Sequence, residues 1–247
     1  MNRRIVIAGN WKMNKTPSQT VEFIEQIAPK IDRRDFEVVI IPPFVSLKSA
    51  WEKLGTSGIS LGAQNMHYES EGAYTGEISA EMLCELGCKY VLIAHSERRQ
   101  LFYESSPSIN LKIQKALDTG IIPIFCVGEN LETRESGRTY KLISEQLKSG
   151  LENVEIDERL IIAYEPVWAI GTGKNATAIE AEEVCSFIRN EMRSICGDLA
   201  EKTRILYGGS VKSSNAKSIL DMTNIDGVLV GGSSLTEDFI DIVNYDK

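Results

Sequence analysis

Leu206-Tyr207-Gly208-Gly209-Ser210 and Leu229-Val230-Gly231-Gly232-Ser233 end two successive apolar runs in the same way. Each reads as a strand stopping on paired glycines, where backbone N–H groups can approach an anion closely. In a (β/α)8 barrel, the loops after the last two strands often form a phosphate site. Toward the N-terminus lie six more short apolar or β-branched runs: Ile5–Ala8, Val38–Ile41, Ile59–Ala63, Tyr90–Ala94, Ile121–Val127 and Leu160–Tyr164. With Arg204–Tyr207 and Gly227–Val230 they make eight. Most are apolar throughout, not alternating, as expected of parallel strands covered on both faces.

Helical segments fill the gaps. Thr16-Pro17-Ser18-Gln19 and Thr177-Ala178-Ile179-Glu180 are capping boxes, the first with Pro at the opening helical position. Val21, Ile24, Ala28 and Ile31 mark one face of the first helix. Val184, Ile188, Met192 and Ile195 do so for the second. Ser106-Pro107 opens another segment, which closes at Gly120. Leu47, Ala50, Trp51 and Leu54 form a further stripe, as do Met82, Leu83 and Leu86, and all are expected to pack on the sheet. A doubly wound open sheet shares these units, but the repeated Gly-Gly-Ser ending favours the barrel. No Pro/Ser-rich or like-charged stretch separates the units. The expectation is an α/β chain forming one (β/α)8 barrel domain over residues 1–247.

With 27 Lys plus Arg against 35 Asp plus Glu, the net charge is −8. Such a balance disfavours nucleic acid and anionic membranes as partners. The longest uncharged stretch, Leu54–Tyr68, is too short and polar to span a bilayer. Only Ile5–Gly9 follows the basic start as an apolar run, so no secretory signal is expected. Five scattered cysteines (84, 88, 126, 185, 196) then suggest reduced, buried thiols in the cytoplasm.

Barrel chemistry sits where strands end. After the first strand come Asn10-Trp11-Lys12, after the fourth His95-Ser96-Glu97-Arg98-Arg99, and after the sixth Glu165-Pro166-Val167-Trp168. Each alone has a duller reading: a solvated lysine, a structural histidine, a loop carboxylate. Convergence on one face, opposite two Gly-Gly-Ser loops, outweighs them. His67 lies in a polar loop and reads as structural. Gly171–Ala176 imitates a dinucleotide fingerprint but stands six residues past its strand, and the phosphate-loop pattern fails at Trp168. Cys84 and Cys88 lack partners for a zinc site, and two histidines make a metal site improbable.

Read together, Ala8–Asn14, Gly72–Glu77, His95–Arg99, Ala163–Lys174 and Tyr207–Val211 resemble the triosephosphate isomerase family over almost the full length. The resemblance implies interconversion of dihydroxyacetone phosphate and glyceraldehyde 3-phosphate, with no cofactor and no metal. It implies Glu165 as base, a neutral His95 as hydrogen-bond donor to the reacting oxygens, and Lys12 as positive charge assisted by Asn10. Glu97 would be a supporting carboxylate near Lys12. Trp11 would border the substrate, and Gly171, Ser210, Gly231 and Gly232 would bind its phosphate. The resemblance also implies a lid over Pro166–Ala176 and a homodimer docked through Ala73–Glu77. Ala94 stands where the family usually has Gly, and Ser233 where Ala is common. Two other readings share the twin glycine loops: a different phosphosugar isomerase or epimerase barrel, and a catalytically silent barrel serving as a binding scaffold. The joint presence of Lys12, His95 and Glu165 speaks against both.

Overall fold

A computed structural model describes residues 3–31, 35–169 and 176–245. All eight runs are strands: β1 (Val6–Asn10), β2 (Glu37–Ile41), β3 (Ser60–Ala63), β4 (Cys88–Ile93), β5 (Ile122–Val127), β6 (Ile161–Tyr164), β7 (Arg204–Tyr207) and β8 (Gly227–Val230). Each pairs in parallel with the next in sequence, and β8 pairs with β1, closing the barrel. Around it run α1 (Pro17–Ile27), α2 (Leu47–Leu54), α3 (Ala80–Glu85), α4 (Ser96–Leu101), α5 (Ser106–Thr119), α6 (Leu131–Glu135), α7 (Thr139–Leu151), α8 (Ala178–Cys196), α9 (Ser213–Leu220) and α10 (Asp238–Val243).

Near-continuous apolar strands serve two cores at once, because successive side chains point to opposite faces. Val6 and Ala8, Val39 and Ile41, Leu92, Ile124, Ala163, Leu206 and Leu229 fill the barrel interior. Their neighbours Ile7, Val38, Ile40, Val91, Ile93, Phe125, Ile162 and Val228 face the helices. Both capping boxes form. Gln19 N–H donates to Thr16 Oγ1 at 3.4 Å, and Thr16 N–H to Gln19 Oε1 at 2.9 Å. Glu180 N–H donates to Thr177 Oγ1 at 3.1 Å, and Thr177 N–H to Glu180 Oε2 at 2.8 Å. The left-handed Gly120 ends α5.

Some expectations fail. The buried face of α1 is Thr20, Phe23, Ile24 and Ile27; Val21 and Ala28 are only half-buried. Trp51 is 46% exposed and Met82 51%, so neither is core. Trp51 instead lies over Gly87, where an added Cβ would come within 2.6 Å of its ring. A stripe of period 3.6 identifies a helix face without saying how far the neighbouring layer covers it. Cys84 is exposed and Cys196 half-buried; only Cys88, Cys126 and Cys185 are buried thiols. The fingerprint-like Gly171–Asn175 lies outside the described residues.

Candidate active site

Every strand-end residue singled out above rises at the same end of the barrel. Asn10 is the last residue of β1, and its Oδ1 accepts from Lys12 N–H at 3.0 Å. That bond turns the chain sharply and holds Lys12 at φ +52°, a conformation unusual for a side chain of its size. Gln64, just past β3, donates to Lys12 O at 2.7 Å and to Ile41 O at 3.1 Å, clamping the turn from below. The Lys12 ammonium is thereby delivered to Glu97 Oε1 at 2.7 Å.

His95 follows β4 and caps α4. Its Nδ1 accepts from Glu97 N–H at 3.3 Å, which requires an unprotonated Nδ1 and leaves the proton on Nε2. Nε2 stands 2.9 Å from Glu165 Oε1. Burial pushes the imidazole down, but the Glu165 and Glu97 carboxylates pull it up, and the net direction is up. The larger part of that pull belongs to the direct contact with Glu165, a contact that a substrate seated between the two groups must break.

Glu165 is set by β6. Its backbone N–H donates to Val127 O at 2.8 Å, and its Oε2 accepts from Ser96 N–H at 2.9 Å. The carboxyl is 2% exposed. Burial favours its neutral form, yet His95, the Ser96 N–H and Lys12 outweigh that, holding it below the ordinary 4.5. It therefore waits ionised. Gly128 makes this placement possible, because a Cβ there would lie 1.8 Å from Glu165 O. Next to it, Glu129 is fully buried and takes hydrogen bonds from Tyr164 Oη at 3.1 Å and Trp168 Nε1 at 3.0 Å.

Around this cluster opens a cleft of about 390 Å³, lined by Asn10, Lys12, His95 and Glu165 on one side and the two Gly-Gly-Ser loops on the other. Ser210, Gly231 and Gly232 all border it. At Gly232 a Cβ would meet nothing within 4 Å, so that backbone is open to a ligand. The Gly208 and Gly209 pair is different. A Cβ would stand 3.0 Å from Glu165 Cγ at the first and 2.1 Å from Tyr207 Oη at the second, so these glycines serve packing. Trp11 also borders the cleft, but its indole is fully buried, edge-on to Phe23 at 5.6 Å. Gly171 and the central part of the expected lid, residues 170–175, lie outside the described residues.

Gln64 and Gly128 escape the sequence reading, and so does the part Ser96 plays, although Ser96 is named in its strand-end segment. Ser96 and Gly128 act through a backbone N–H and through the lack of a side chain, which composition does not reveal. Gln64 could have been found as a polar residue one step past a strand. His67 is structural as read, its ring 4.3 Å from Tyr68 and Tyr74.

Ala94, the residue before His95, sits at φ +64°. Glycine adopts that conformation freely, whereas an alanine there is strained by about 1–2 kcal/mol. Ala94→Gly is expected to raise stability by about 0.5–1 kcal/mol after the extra freedom of the unfolded glycine is subtracted. A denaturant midpoint equal to or below the parent's refutes this.

A carboxylate, an imidazole, an ammonium and two glycine loops around one small cleft suit proton transfer beside the carbonyl of a phosphorylated substrate. Comparison with known proteins agrees. The family model described as triosephosphate isomerase matches residues 5–246. The chain is 51% identical over 247 residues to the triosephosphate isomerase of Alkaliphilus metalliredigens, covering 98% of this chain and 100% of that protein. It is 51% identical to that of Caldanaerobacter subterraneus subsp. tengcongensis, with the same coverage. Against that of Acetivibrio thermocellus it is 49% identical over 251 residues, with both chains fully covered. The barrel, its strand-end residues and these full-length matches lead to one conclusion: the chain belongs to the triosephosphate isomerase family.

Proposed function

We propose that the chain interconverts dihydroxyacetone phosphate and D-glyceraldehyde 3-phosphate through an enediolate, as an isomerase of glycolysis and gluconeogenesis. The observation that carries this reading is the buried Glu165 carboxylate 2.9 Å from His95 Nε2, with the Lys12 ammonium held at the same cleft. Glu165 removes the proton from one carbon and returns it to the next. Charge then builds on the neighbouring oxygens, where the Nε2–H of His95 and the Lys12 ammonium stabilise the transition state more than the ground state. Asn10 holds Lys12 in place, and Glu97 anchors its ammonium until an anion arrives. Ser210, Gly231, Gly232 and Gly171 take the phosphate, and Trp11 supports the floor through its packing.

Substrate entry between His95 and Glu165 breaks the His95 contact, the largest of the influences that keep the carboxyl acidic. Burial then weighs more heavily, and the carboxylate becomes a stronger base at the moment it is needed. A lid over Pro166–Ala176 would close over this cleft and keep water from the intermediate. Trp168, bonded to Glu129 and lying 4.5 Å under the Arg134 guanidinium, supplies a stiff lid base.

The same reading gives one barrel domain over residues 1–247, working in the cytoplasm as a homodimer. Among the described residues, no helix is long and apolar enough to cross a membrane. Met13, 94% exposed, and Tyr103, 86% exposed, are large apolar side chains that a partner subunit would cover, together with Tyr74. A coupled assay with glyceraldehyde 3-phosphate, alone and with a phosphoglycolate-type inhibitor, is expected to show turnover that the inhibitor abolishes. Folded protein without turnover overturns the activity in favour of a scaffold. Sedimentation is expected to give a dimer mass, and a monomer removes the role assigned to the Ala73–Glu77 loop.

A further inference from the structure

Building on the phosphorylated substrate of the preceding reading, we propose that Lys212 is a second phosphate-directed cation, which draws the substrate dianion into the cleft. Among the described residues lining the cleft, Lys12 and Lys212 are the only cations and Glu165 the only carboxylate. Their situations differ. The Lys12 ammonium is already answered by Glu97 at 2.7 Å. Lys212 is exposed, and among the described residues its ammonium makes no ion pair.

Its position is built. Lys212 stands two residues after Ser210, at the phosphate end. Its backbone N–H donates to Asn215 Oδ1 at 2.8 Å, while Asn215 Nδ2 donates to Ser210 O at 3.1 Å. One asparagine therefore ties the lysine to the loop that borders the anion. The nearby acid, Asp238, accepts from Ser213 N–H at 3.4 Å. Burial pushes Asp238 up, but its bonds to Ser213 and Ser233 and the charge of Lys212 bring it below its ordinary value. The charge of Lys212 thus reaches Asp238, which is bonded to Ser213 and Ser233. Lys15, another cation of the β1–α1 loop, is committed elsewhere, with its ammonium 4.0 Å from the Phe23 ring centre.

The need for such a charge follows from the net −8 of the chain, which repels a dianion on approach. At physiological salt that repulsion is screened beyond ~8 Å, so a cation at the cleft itself governs the last step. An exposed lysine lining the cleft of a dianion is worth about three- to tenfold in affinity at low salt.

Calorimetric titration of the folded protein with inorganic phosphate tests this without relying on turnover. Lys212→Met is expected to bind phosphate about three- to tenfold more weakly at ~0.01 M salt, and within about twofold of the parent at ~1 M, where the Debye length is ~3 Å. Lys212→Arg is expected to stay within about twofold of the parent at both, since it keeps the charge. In the coupled assay, kcat/KM of the Met variant is expected to fall in parallel at low salt. Parental phosphate affinity of Lys212→Met at low salt overturns the assignment. So does an equal loss at both salts, which marks altered packing instead of charge. Failure of the parent to turn over the triose would sink the isomerase reading alone, because phosphate binding is read separately.

Discussion

Glu165→Gln is expected to lower kcat by about 10²–10⁴-fold while leaving the barrel folded, because it removes the base without changing the side chain's volume. The amide oxygen can still accept from Ser96 N–H, now at 2.9 Å to Oε2. Its NH2, however, must confront the Nε2–H of His95, which stands 2.9 Å from Oε1. Two donors then face each other, and the imidazole cannot switch tautomer because its Nδ1 is engaged by Glu97 N–H at 3.3 Å. Glu165→Asp tests geometry in place of basicity. It retains the charge but withdraws it by about 1 Å, a misplacement that can cost ~10²-fold. Both losses should fall on kcat, since proton removal is realised only in the transition state. Binding of a phosphoglycolate-type inhibitor tells a lost base from a lost fold, because the phosphate loops are untouched. Full activity in either variant would sink the assigned base.

Much of this cleft is legible in the sequence, for a topological reason. Parallel strands in a closed barrel all end on one face, so locating the eight runs also brings Asn10, Lys12, His95, Glu165 and the Gly-Gly-Ser loops together. Buried strands announce themselves because both faces must be apolar, and the alternation of Ile7 outward and Ala8 inward leaves no polar position between them. The supporting parts are hidden because they act through backbone. Ser96 contributes an N–H, Gly128 an absence, and Lys12 a left-handed turn that depends on Asn10 and on the distant Gln64. Ala94 shows the limit from the other side. As a composition change it is one methyl, but at φ +64° it is a backbone strain that no pattern in the sequence displays. Trp51 and Met82 fail similarly, since helical period orients a side chain without saying what lies above it.

The opposite end of the barrel governs stability and should respond in the opposite way. Arg189 on α8 is 1% exposed, yet every part of its guanidinium is answered. NH1 donates to Ala200 O at 2.7 Å and Thr203 O at 2.9 Å, Nε to Asn224 Oδ1 at 2.9 Å, and NH2 to Asp226 Oδ2 at 2.6 Å. Asp226, just ahead of β8, also accepts from Ile205 N–H at 2.9 Å and from Arg3 Nε at 2.5 Å, so it ties α8, β7 and the N-terminal segment together. Burial opposes the charge on Arg189, and its net direction is down despite Asp226 beside it. The guanidinium is therefore a desolvated charge that depends on its partners. Arg189→Met fills the space but leaves two carbonyls and part of a buried carboxylate unanswered. Breaking such a pair from one side costs about 3–5 kcal/mol. In a chain of this size that corresponds to a fall in Tm of about 6–20 °C. The kcat of the fraction that remains folded should stay at the parent's value, because the strand ends that hold Glu165 and His95 lie at the far face. A calorimetric Tm within about 2 °C of the parent would show that the network is dispensable. A selective fall in kcat would show that the two ends of the barrel are coupled.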